Sequence, residues 1–69
     1  MYKYNFLKGK ITEMCGTQEK YAKLLGISIQ ALTKKFNNIN TFSQDQIDLS
    51  IKILGLTSEE VTKAFFMHE

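Results

Sequence analysis

The chain has 69 residues, 43% of them hydrophobic, with nine lysines, no arginine, seven carboxylates and one cysteine. That length makes one domain, 1–69, and the lone Cys15 excludes an internal disulfide and a multi-cysteine zinc site, as suits a reducing compartment. No apolar run approaches the ~20 residues that span a bilayer and the N-terminus carries no basic-then-apolar signal, so a cytoplasmic protein is expected. The net charge of +2 hides a division. Residues 1–42 hold seven lysines against Glu13 and Glu19, whereas residues 43–69 hold Lys52 and Lys63 against five carboxylates. A basic N-terminal part and an acidic C-terminal part are what a protein with one phosphate-facing side needs.

The spacing predicts five helices, near 4–15, 17–25, 28–37, 43–54 and 57–66. The first carries Leu7, Ile11, Met14 and Cys15 at i, i+4, i+7 and i+8. Gly9 lies inside it at a cost of about 0.5–1 kcal/mol relative to alanine. It marks either close approach of a helix or phosphate to bare backbone, or a late helix start. Thr17 is an N-cap for the second helix, whose Tyr21, Ala22 and Leu25 form a narrow apolar stripe. Gly26 ends that helix, only Ile27 intervenes, and Ser28 caps the third, which turns Leu32 and Phe36 inward. Residues 37–41, Asn-Asn-Ile-Asn-Thr, form a loop.

The fourth and fifth helices open with capping boxes, Ser43 with Gln46 and Thr57 with Glu60. Hydrophobic staples accompany them, Phe42 with Ile47 and Leu56 with Val61, and Ile27 with Leu32 repeats the arrangement at Ser28. The fourth helix has two apolar stripes, Ile47-Ile51-Leu54 and Leu49-Ile53, and is expected to be the most buried. The fifth turns Val61, Ala64 and Phe65 to the core, which leaves Phe66 and Met67 on another side as a possible dimer surface.

Residues 17–37 thus read as helix, tight turn, helix, with small Ala22 where the two approach. That is helix-turn-helix geometry, whose second helix can be presented to a DNA major groove. The segment resembles the Cro/repressor-type family of phage and bacterial transcription regulators. Gln18, Ala22, Gly26 and Leu32 fall at the family's spacing, with Ile27 and Ser28 also matching. The Leu7–Ile11 run and Gly16-Thr17-Gln18 are similar to short phage-encoded members. The resemblance covers about residues 7–56 and implies an all-α, compact five-helix, lambda-repressor-like DNA-binding domain. One position departs from it. Many members bury a large apolar residue nine positions after the glycine, where this chain has Lys35, so Phe36 is expected to supply that packing.

If the third helix enters a groove, its outward residues Ile29, Gln30, Thr33 and Lys34 are the candidates to read base edges. Gln30 suits adenine N6 and N7, Lys34 suits guanine O6 and N7, and Ile29 or Thr33 suits a thymine methyl. Without arginine, bidentate guanidinium readout is absent. Ile29 has a second reading, in the core. The resemblance implies base contact for Ile29, Gln30 and Thr33 and phosphate contact for Gln18. Thr17, Gln18, Lys20, Ser28, Lys35, Asn37, Asn38 and Asn40 are the expected backbone contacts, with Lys8 and Lys10 adding salt-sensitive attraction.

Catalytic constellations are missing. His68 sits beside the C-terminus without an acid partner and is expected to fray, and Cys15 reads as a small core residue. Tyr2, Tyr4 and Phe6 have no strand platform on which to display bases, so they read as packing. The expectation is a sequence-specific, double-stranded-DNA-binding transcription regulator, phage or prophage encoded, without cofactor, metal or enzymatic activity, and dimeric on DNA. The rival is a helical protein-interaction module, antitoxin- or antirepressor-like, that keeps the fold without reading DNA.

Overall fold

Four of the five helices start at a hydroxyl that the chain supplies locally. The computed structural model describes residues 1–68; Glu69, counted above in the acidic part, lies outside the described residues. The helices are α1 (Asn5–Cys15), α2 (Gln18–Leu25), α3 (Ile29–Phe36), α4 (Gln44–Leu54) and α5 (Ser58–Phe65). Thr17, Ser28, Ser43 and Thr57 each accept the backbone N–H three residues on. Gln46 and Glu60 complete both capping boxes by accepting the N–H of Ser43 and Thr57. Each such cap is worth about 1 kcal/mol. Only α1 begins without a side-chain cap. Every helix end falls within one residue of its expected place. Among the described residues no strand forms, only an isolated antiparallel bridge between Tyr2 and His68. The fold is all-α.

The core gathers the expected inward faces. Leu7 and Ile11 of α1, Tyr21, Ala22 and Leu25 of α2, Leu32 of α3, and Ala64 and Phe65 of α5 are all buried. Tyr4 and Phe42 join them from outside the helices. The helix α1 packs on α2, α4 and α5, while α2 also meets α3 and α4. Thus α3 leans chiefly on α2 and lies at the edge of the bundle.

Three packing expectations need correction. Met14 is 54% exposed, because the apolar stripe of α1 narrows to Leu7 and Ile11, with Cys15 half-buried. The helix α4 is not the most buried, since it buries three of its eleven residues against three of eight in α2. Ile47, Ser50 and Leu54 face the core, Ile51 and Ile53 are half-buried, and Leu49 is exposed. Polar Ser50 occupies the centre because its hydroxyl donates to the Gln46 carbonyl at 2.7 Å, which leaves its oxygen to accept the Tyr21 hydroxyl. Burial pushes the Tyr21 hydroxyl up to about 12.

The third correction concerns the end of α3. Lys35, not Phe36, takes the inward position, at 9% exposure. Its stem lies in the core, and its ammonium donates to the Thr41 carbonyl at 2.9 Å and lies 5.6 Å from the centre of the Phe42 ring. A long stem with a snorkelling head fills an apolar slot when the head finds an acceptor. Phe36 is half-buried instead, with ring centres 5.7 Å from Tyr4 and 6.2 Å from Phe42. Nor does Gly9 play either expected structural part. The helix already runs from Asn5, Gly9 is exposed, and a methyl added there would meet nothing within 4 Å.

Candidate nucleic-acid interface

The turn between α2 and α3 is set by Gly26, which takes φ 76° and ψ 29°. In that left-handed conformation its N–H reaches the Lys23 carbonyl, and the Ile27 N–H folds back 3.0 Å onto the Ala22 carbonyl. A side chain at this position would be strained by its own backbone, although nothing else crowds it. Ser28 then restarts the chain as helix, so Gly26, Ile27 and Ser28 alone separate the two.

The outer face of α3 is open. Gln30, Thr33, Lys34 and Asn37 follow one another at i, i+3, i+4 and i+7, and all four are exposed. No carboxylate pairs with Lys34 among the described residues. Thr33 is partly committed, since its hydroxyl donates to the Ile29 carbonyl at 2.9 Å, leaving its methyl and a lone pair to an incoming base. Ile29 is half-buried and packs on the core, so it offers less to a groove than its neighbours.

The expected backbone contacts divide. Thr17 and Ser28 spend their oxygens on the N–H groups of Lys20 and Ala31 but keep their hydroxyl protons for an outside acceptor. Gln18 is half-buried at the start of α2, where the first N–H groups of a helix lack internal partners and favour anions. Lys20, Asn37 and Asn40 are exposed, and Lys20 forms no ion pair among the described residues. Glu19 stands exposed in that same first turn and opposes a phosphate there.

Two of the expected contacts are committed to partners inside the fold. Lys35 is buried with its ammonium held by Thr41, so it is not a phosphate ligand. Asn38 is half-buried, with one amide proton and its carbonyl oxygen engaged with the backbone of Tyr2. The attraction expected of Lys8 and Lys10 is also tempered. Lys8 is exposed but lies 5.1 Å from the centre of the Phe36 ring. Lys10 bridges to Glu60 at 3.1 Å and Glu13 at 3.6 Å, tying α1 to α5. Its hydrogen bond to Glu60 holds the Lys10 ammonium above its usual range, while the Thr57 N–H and then Lys10 hold Glu60 low.

Phe66 and Met67 are half-exposed but line different hollows. Phe66 borders a small one with Tyr2, Thr41 and Ile47, whereas Met67 borders a groove of about 220 Å³ with Lys3, Asn5, Phe6 and Lys63. His68 does not fray: its ring lies 4.3 Å from that of Tyr2. Burial raises the half-buried Cys15 thiol. No helix among the described residues is long and apolar enough to cross a membrane.

The engagements of Lys35, Asn38 and Ser50 are what residue spacing missed. The Asn-rich loop signalled turn formation through side chains, but nothing local names Tyr2 as the partner of Asn38. A family model described as "Protein of unknown function (DUF739)" matches residues 1–68. No curated protein matches the chain.

Proposed function

We propose, for a chain that belongs to the DUF739 family, the role of a sequence-specific double-stranded-DNA-binding transcription regulator that lays α3 in the major groove. The observation that carries it is the open row of Gln30, Thr33, Lys34 and Asn37 on a helix at the edge of the bundle. Amides, a hydroxyl and an ammonium at helical spacing are the chemistry that reads base edges when guanidinium is absent. The capped start of α2, with Gln18 and Lys20, adds an anion-attracting helix end. The similarity of residues 7–56 to Cro/repressor-type regulators points the same way and suggests a phage or prophage origin and a cytoplasmic site of action.

A single module buries about 600–1,000 Å² of its own surface against DNA. Two copies spanning half-sites about 34 Å apart would raise affinity and read a symmetric operator. Selection of bound duplexes from a random pool tests this. Enrichment of a short motif, weakened by salt, is the expected result; a pool no different from its starting composition rejects it.

One observation favours the rival, a protein-interaction module. The groove between Phe6 and Met67 is apolar and flanked by Lys3 and Lys63, which form no ion pairs among the described residues. Under that reading, substitution of Met67 abolishes activity and substitution of Gln30 and Lys34 does nothing.

A further inference from the structure

The far end of α3 is held by residues distant in sequence. The Tyr2 N–H donates to Asn38 Oδ1 at 2.8 Å, and Asn38 Nδ2 donates to the Tyr2 carbonyl at 3.1 Å. One amide side chain thereby satisfies both main-chain groups of one residue, as a neighbouring strand does. The opposite edge of this segment is held by the C-terminal tail. There the Lys3 N–H donates to the Met67 carbonyl at 2.8 Å, and Tyr2 bridges to His68.

Asn38 also terminates α3. It takes φ 61°, the left-handed conformation that asparagine tolerates better than most residues, and its N–H donates to the Lys35 carbonyl at 3.1 Å. Beneath this clasp the Tyr4 ring is buried, 5.5 Å from Phe42 and 5.7 Å from Phe36. Since α3 leans chiefly on α2, the Gly26 turn fixes its near end and the clasp fixes its far end.

We propose that Asn38 is a positioning residue for recognition: by gripping Tyr2 it sets the direction in which Gln30, Thr33 and Lys34 project, without touching the duplex itself. The inference rests on the DNA-reading function above. The clasp spends one amide proton and one oxygen lone pair of half-buried Asn38 on Tyr2, so its contribution acts through α3.

The test compares two variants. Asn38→Gly keeps the left-handed backbone accessible and deletes both clasp bonds. Asn38→Asp keeps the acceptor for the Tyr2 N–H and loses the donor to the Tyr2 carbonyl. Affinity is measured for a duplex selected by the wild type and for a scrambled duplex, with folding checked by circular dichroism. Should the glycine variant fail to fold, the aspartate variant carries the test. A smaller folded fraction lowers both affinities alike and leaves their ratio unchanged, whereas misdirected base readers lower the ratio.

The expected result is a selected-to-scrambled ratio about tenfold lower in Asn38→Gly, of the order of one lost base contact, with a smaller fall in Asn38→Asp. Equal falls in both affinities would assign Asn38 to fold stability or to the phosphate backbone and overturn the proposal. A wild-type ratio of one would instead remove the DNA-reading function itself, and with it anything for Asn38 to position.

Discussion

Lys35 shows how one residue can change the meaning of a face. The resemblance to Cro/repressor-type regulators puts a buried apolar residue at its position, and its charge suggests a phosphate ligand; the structure buries its stem and bonds its ammonium to Thr41. Replacing Lys35 with glutamine is therefore expected to leave the salt dependence of DNA binding unchanged. Replacing exposed Lys20 should reduce the slope of log affinity against log salt by about one. Parallel titrations at several salt concentrations check both. Gly9 gives an independent residue-scale prediction. It is exposed within α1 and has room for a methyl, so Gly9→Ala should stabilise the fold by about 0.5–1 kcal/mol, seen as a higher unfolding midpoint. If affinity for DNA falls as stability rises, bare backbone at Gly9 serves a phosphate.

At the scale of the element, Tyr21 and Ser50 join α2 to α4 through a buried hydroxyl pair that ends on the Gln46 carbonyl. The folded chain holds the Tyr21 proton more tightly than the unfolded chain, with an ionisation moved from 10.0 to about 12. The sign follows directly. This contribution is complete below pH 10 and is lost as pH rises from 10 to about 12, on the order of 2 kcal/mol. Tyr21→Phe should cost about 1 kcal/mol at neutral pH through the lost hydrogen bond and should make the alkaline decline shallower. Tyr4, Cys15 and Lys10, whose ionisations are also raised, leave a residual slope. Denaturant unfolding at pH 7 and at pH 11 reads both effects.

Helix ends were legible in the sequence because caps are local. Thr17, Ser28, Ser43 and Thr57 bond within three residues of themselves, so spacing alone locates them. The inward stripes of α1, α2 and α5 were legible for a similar reason, apart from Met14. Ser50 was not, because its burial depends on a phenol 29 residues away. The Tyr2–Asn38 clasp spans 36 residues and has no periodicity to announce it. The exposed row of α3 was legible, whereas the internal engagements of Lys35 and Asn38 were not, because their partners Thr41 and Tyr2 lie outside the helix.

For the molecule as a whole, charge and exposure act together. Lysines concentrate in residues 1–42, yet Lys35 is internal and Lys10 is paired, so the cationic face is smaller than composition implies. Glu19 reduces it further at the start of α2. Glu19→Gln should therefore strengthen binding to any duplex, selected or scrambled, by a few-fold, in keeping with one fewer repulsive charge at a helix N-terminus. A change confined to the selected duplex would argue that Glu19 meets a base instead.

The central claim is that the outer face of α3 reads a duplex, and selection from a random pool with wild type and Gln30→Ala side by side tests it most directly. The account predicts a wild-type motif that loses its preference, for adenine, at one position per half-site in the variant, while every other position is retained. An identical motif from both proteins, or no enrichment from either, would contradict it.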